Sequence, residues 1–165
     1  MKKTRGFSLM ELLLVVSFMA IVLTMVITVG RSVTQKSYFS GGVSTFVANF
    51  AYAKQVAARE NRLVAINFNA DGRSYDLRRQ NRIGDVTQWA GLKSVRGMDG
   101  KVFFDSGTVQ DFAVNSMGEV FAFPIAADPQ PVQVSLGFFI KSPSGGIDYQ
   151  TLITIFGYGG IKVED

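Results

Sequence analysis

The side chains able to do chemistry in this chain are carboxylates, hydroxyls and guanidiniums, because its 165 residues include no histidine and no cysteine. The commonest general base and metal ligand are therefore missing, as are thiolate nucleophiles, disulfides and thiolate-bound metal sites. Asp71, Asp76, Asp85, Asp99, Asp105 and Asp111 are scattered among turn signals, where Asp serves backbone hydrogen bonding. Asp71-Gly72 and Asp99-Gly100 lack the ligand series of a calcium loop, and Ser142-Pro143-Ser144-Gly145-Gly146 has no base to activate a serine. No catalytic, metal or cofactor site is expected, and the chain reads as a non-enzyme. Two features remain. One is Glu11, a lone acid at the edge of a long apolar run; the other is an arginine cluster, Arg73, Arg78, Arg79 and Arg82, with Tyr75 nearby.

The segment C-terminal to Glu11 must position it. Leu12 to Val29 reads LLLVVSFMAIVLTMVITV, 18 residues without a charge. As a helix it is about 27 Å long, close to the hydrocarbon thickness of a bilayer. Ser17, Thr24 and Thr28 fit there because their hydroxyls can bond back to the preceding turn. Lys2, Lys3 and Arg5 precede the run, which keeps the N-terminus cytoplasmic and sends the rest outward, although Arg31 and Lys36 weaken the asymmetry. A secretory signal would have an apolar region of about 7–15 residues ending at a small-x-small site, and Thr28-Val29-Gly30 matches that poorly. A plain single-pass anchor gives no reason for Glu11, since a carboxylate in the bilayer costs a few kcal/mol and normally has a partner.

Lys2-Lys3-Thr4-Arg5-Gly6-Phe7-Ser8-Leu9-Met10-Glu11-Leu12-Leu13 resembles the class III leader and mature start of a type IV pilin or pseudopilin. The resemblance implies that a prepilin peptidase cuts between Gly6 and Phe7 and that the new N-terminal Phe7 is methylated. It also implies that Glu11, then the fifth mature residue, pairs with the N-terminal amine of a neighbouring subunit. In a low-dielectric setting that pair would offset much of the desolvation cost of either charge, making Glu11 a register pin for assembly. The helix lacks the proline that many major pilins carry.

Beyond Gly30, Val43, Phe46, Val47, Phe50 and Ala57 follow helical spacing, with Lys54, Arg59 and Arg62 among the polar positions. Gly41-Gly42 interrupts this run and reads as a kink or flexible joint. A helix from Phe7 to Asn61 would be about 80 Å long. From Leu63 the period changes to two. Strands are expected at Leu63–Phe68, Ser74–Gln80, Val86–Val95 (broken at Gly91), Lys101–Phe104, Phe112–Asn115, Glu119–Phe123, Val132–Ile140, Tyr149–Phe156 and Ile161–Val163. The expected fold class is α+β, a pilin fold with one long N-terminal helix packed on an antiparallel β-sheet head. Its expected parts are a cleaved leader (1–6), a transmembrane and assembly helix (7–30), an amphipathic helix (31–61) and a β head (62–165).

Phe46 to Leu77 looks like the GspH/FimT group of pseudopilins and minor pilins, in which an Ala/Arg-rich helix end, here Ala57-Ala58-Arg59-Glu60-Asn61-Arg62, leads into the first strand. Phe112 to Val120 is similar to that group's later strand–Gly–strand hairpin, and Leu152 to Gly157 to its last strand and glycine. The resemblance implies a structural subunit of the bacterial inner membrane with its head in the periplasm, helping to initiate or cap a type IV pilus or type II secretion pseudopilus. Its implied partners are the membrane, the prepilin peptidase, other pilin or pseudopilin subunits and the inner-membrane assembly platform.

The charge divides along the chain. Residues 31–101 carry 12 basic and 5 acidic side chains, and residues 102–165 carry 2 basic and 7 acidic. Complementary faces of this kind can steer subunits together. The full chain is +4, but removing residues 1–6 leaves 14 basic against 13 acidic, so its basicity belongs largely to the leader. Arg73, Arg78, Arg79 and Arg82 with Tyr75 form a candidate nucleic-acid patch, with arginines on phosphates and the tyrosine on a base. That patch would suit a filament-tip module such as a DNA-uptake receptor, the alternative to a purely structural role. Two features oppose it: the tail ends acidic (Glu164-Asp165), and adjacent strand residues Arg78 and Arg79 point to opposite faces. An unprocessed anchor for a periplasmic β domain is the remaining alternative.

Overall fold

The structure, a computed structural model, describes residues 8–83, 86–96, 102–104, 111–141 and 146–164. Its backbone divides into two compact units, Met1–Ser37 and Tyr38–Asp165. One helix, α1 (Leu9–Glu60), enters both. In the first unit it opens with the Ser8 carbonyl accepting from the Glu11 and Leu12 amides. It ends in the second unit at Asn61, which takes a left-handed φ of 49°. The Arg62 amide then bonds the Ala57 carbonyl at 3.2 Å, satisfying an orphan carbonyl of the last turn in a Schellman closure.

Gly41-Gly42 does not break the helix: the helical hydrogen bonding runs through both residues. A close approach accounts for the second glycine. A Cβ at Gly42 would stand 2.9 Å from Val102 Cγ2, so glycine lets the helix backbone settle against the sheet.

Among the described residues, nine antiparallel strands complete the second unit: β1 (Val64–Phe68), β2 (Ser74–Ile83), β3 (Val86–Arg96), β4 (Val102–Phe104), β5 (Phe112–Val114), β6 (Val120–Ala122), β7 (Val134–Lys141), β8 (Ile147–Ile155) and β9 (Ile161–Glu164). They form two sheets, β3-β2-β1-β5-β6 and β4-β7-β8-β9. The expected fold class holds, with each expected strand present to within a few residues and the head made of two sheets. Strand β3 is not broken at Gly91. Leu92 instead bulges out of the ladder, so that Arg78 pairs with Gly91 while Leu77 pairs with Lys93.

The sheets are stitched by main-chain bonds. The Phe104 amide donates to the Gly72 carbonyl at 2.8 Å. Val120 donates to the Gly157 carbonyl and accepts from the Val132 amide, both at 2.8 Å. Between the sheets and α1 lies one core, in which Phe39, Phe46, Phe50, Ala53, Val56 and Ala57 occupy one helix face. Phe46 meets Tyr75 edge-on at 5.5 Å and Phe138 at 5.1 Å between ring centroids. All the core residues lie at Phe39 or beyond, so the second unit carries its own core.

Candidate functional site: the apolar helix and the arginine surface

In the first unit every described residue from Ser8 to Ile27 is exposed. Leu9–Ile27 has a mean hydropathy of 2.6 and is long and apolar enough to cross a membrane. The hydroxyls behave as expected of such a helix: Ser17 Oγ donates to the Leu13 carbonyl at 2.8 Å and Thr24 Oγ1 to the Ile21 carbonyl at 2.7 Å. Thr28 lies outside the described side chains. Glu11 sits in the first turn, where the helix dipole favours a negative charge. Gly6 and Phe7, the expected cleavage and methylation positions, lie outside the described residues.

The described members of the arginine cluster are not brought together on one face. Tyr75 is 2% exposed and lies in the core, where no base can stack on it. Its hydroxyl accepts from Asn49 Nδ2 of the helix at 2.7 Å, and Asn49 Oδ1 accepts from Lys93 Nζ at 2.9 Å. Burial pushes the Tyr75 phenol up to about 12, against the opposing pull of the Asn49 bond. The alternation that takes Tyr75 inward also separates Arg78 from Arg79. Arg78 is exposed and pairs with Asp76 at 3.6 Å, whereas Arg79 pairs with helix residue Glu60 at 3.2 Å. Both guanidiniums are thus matched by carboxylates of their own chain. The Arg82 side chain lies outside the described set.

Of the cluster's described side chains, Arg73 alone faces solvent without a carboxylate at ion-pair distance among the described residues. It leaves a tight turn in which Asp71 Oδ1 accepts from the Arg73 amide at 2.8 Å and the Ser74 amide at 3.1 Å. That backbone bond from Arg73, with further help from Ser74 and the Arg73 charge, holds the Asp71 carboxyl below its ordinary value. The Arg73 guanidinium lies 4.8 Å over the ring of Phe103, an aromatic neighbour absent from the expected patch. The clue was in the sequence. Phe103-Phe104 in β4 and Phe138-Phe139 in β7 are adjacent strand residues, so one phenylalanine of each pair must face outward.

Other acidic side chains do backbone work. Asp111 accepts from the Phe68 amide at 2.8 Å and from Asn67 Nδ2 at 3.0 Å, closing the end of β1. Among the described residues, no three acidic groups converge as a metal site would require. The turn tips Asn115–Gly118 and Phe156–Gly160 lie against one another. Lys54 Nζ donates to the Gly159 carbonyl at 2.9 Å, and Gly159, at φ 77°, fits against the Gly118 carbonyl because it has no Cβ.

Neither the protein-family models nor the curated protein sequences compared with this chain match it. Solved structures do match. The type IV minor pilin FimU of Pseudomonas aeruginosa superposes with a TM-score of 0.55 at 14% identity, over 80% of this chain and 92% of that one. The minor pseudopilin EpsH from the type 2 secretion system of Vibrio cholerae superposes with a TM-score of 0.54 at 15% identity, over 76% of this chain and 94% of that one. At such identities the likeness carries the fold. A long helix with an apolar N-terminal stretch, packed further along on antiparallel sheets, matches the pilin fold of these structures.

Proposed function

We propose that this protein is a minor pilin or pseudopilin, a non-enzymatic subunit that helps initiate or cap a type IV pilus or type II secretion pseudopilus. One observation carries the reading: the helix that bears an exposed apolar stretch at Leu9–Ile27 also supplies the core face of a pilin-fold head. A chain of this kind lies in the bacterial inner membrane with its N-terminus cytoplasmic and its head periplasmic. Prepilin peptidase cuts between Gly6 and Phe7 and Phe7 is methylated, which leaves an ammonium at the head of the helix. Glu11 of one subunit then pairs with the N-terminus of the next during extraction by the assembly platform.

The test is mass spectrometry of membrane-extracted protein, combined with filament isolation from a Glu11→Val variant. An N-methylated Phe7 terminus is expected, together with normal membrane insertion but poor filament incorporation of the variant. A mature chain still beginning at Met1 would refute the pilin reading, and normal incorporation of Glu11→Val would refute the pairing role.

A further inference from the structure

On the solvent face of the smaller sheet, Phe103 of β4 pairs across the ladder with Phe139 of β7, their rings stacked at 5.6 Å and 15°. Two cations lie on this pair. Arg73 Cζ is 4.8 Å from the Phe103 centroid, and Lys141 Nζ is 5.1 Å from Phe103 and 5.8 Å from Phe139. Both side chains are exposed, and neither has an ion-pair partner among the described residues. This distinguishes them within the head. Lys54, Lys93, Lys162 and the other arginines with described side chains each engage an oxygen of their own chain. Stacking also orders the guanidinium while leaving its edge donors free, which suits it to a carboxylate.

We propose that Arg73 and Lys141, held on the Phe103–Phe139 pair, dock a carboxylate-bearing segment of a neighbouring, different pilin-type subunit. The inference rests on the subunit reading above. Charge complementarity makes the partner acidic. The surroundings favour a few fixed carboxylates over a polyphosphate backbone: Asp71 begins the turn that delivers Arg73, and exposed Asp148 follows Ile147, the cross-strand partner of Lys141. Of the described acidic side chains of the head, Glu60, Asp71, Asp76, Asp111, Glu119 and Glu164 are engaged within their own head, which leaves a second copy of this chain only Asp128 and Asp148 to offer.

Gln150 is exposed and pairs directly with Phe139, so it reports from the same face. The chain has no cysteine, so Gln150→Cys is a unique attachment point for a photo-crosslinker in full-length protein, in cells making the whole filament. The expected adduct is with one different pilin-type subunit, at a peptide containing Asp or Glu. Arg73→Gln/Lys141→Gln should lower its yield at least about tenfold while Trp89 fluorescence stays native. Arg73→Glu/Lys141→Glu should regain it when the partner's carboxylates become lysines. The proposal is overturned by an adduct that survives the neutral double substitution, by one to nucleic acid or to a second copy, or by no adduct from a chain that still enters filaments. A chain that never enters filaments overturns the subunit reading as well.

Discussion

Gly42→Ala sets two effects of known size against each other. Alanine is favoured over glycine inside a helix by about 1 kcal/mol, so propensity alone predicts stabilisation. The added methyl, however, would stand 2.9 Å from Val102 Cγ2 and 3.4 Å from Cγ1, inside the roughly 3.5–4.0 Å of a relaxed carbon contact. Val102 cannot readily yield. It is 1% exposed, β-branched, and held in register opposite Ile140. Overpacking of this kind costs about 1–3 kcal/mol, so the net expectation is a loss of about 1 kcal/mol. Trp89 is the only tryptophan and packs edge-on against Phe123 at 5.0 Å, which makes its fluorescence a reporter of head unfolding in urea. The midpoint should fall by about 0.5 M. Val102→Ala provides the control with opposite sign. It costs about 2 kcal/mol by itself, but in its background Gly42→Ala should be stabilising by about 1 kcal/mol because the clash is gone. A raised midpoint for Gly42→Ala in the otherwise unchanged chain would show that the close approach to Val102 does not explain this glycine.

Two further outcomes are expected of the head. The Tyr75 phenol is raised to about 12 in the fold while an exposed tyrosine ionises near 10, so above about pH 10 the unfolded chain loses its proton first. Its contribution, about 2–3 kcal/mol, is fully present below pH 10 and lost by about pH 12; the difference between the parent and Tyr75→Phe in urea titrations should show this alkaline decline, and identical pH dependence would count against it. Gly159→Ala places a methyl over the Gly118 carbonyl oxygen at a left-handed φ of 77°, so a loss of about 3 kcal/mol and a melting point lower by about 10 °C are expected; a change under about 2 °C would mean the two turn tips are not in contact.

Much of the fold was legible because local signals agreed. The long apolar run, the change of period after Leu63 and the Gly and Asp punctuation located the helix and the nine described strands. The division into two sheets was not legible, since it depends on pairings between distant segments such as Val64 with Val114 and Val134 with Ile155. At the arginine cluster, alternation gave the opposite faces of Arg78 and Arg79. Carried one step further, it also sends Tyr75 inward with Leu77. What no local pattern supplied was Glu60 waiting on the helix for Arg79, or Phe103 waiting on another sheet for Arg73. Gly42 misled for a related reason: a glycine required by a neighbour 60 positions away looks, in one dimension, like a weak point.

The fastening of α1 to the head has a mechanical consequence. Asn49 reaches Tyr75, Lys54 reaches the Gly159 carbonyl and Glu60 reaches Arg79, so the attachments are distributed over three helical turns. A pull along the axis of the Tyr38–Glu60 segment therefore loads all three at once, together with the aromatic face that Phe46 and Phe50 press into the sheets. Bonds loaded in parallel must fail together, whereas a hairpin peeled from its end gives way one bond at a time. In its fastening to the helix, the head is built to resist shear.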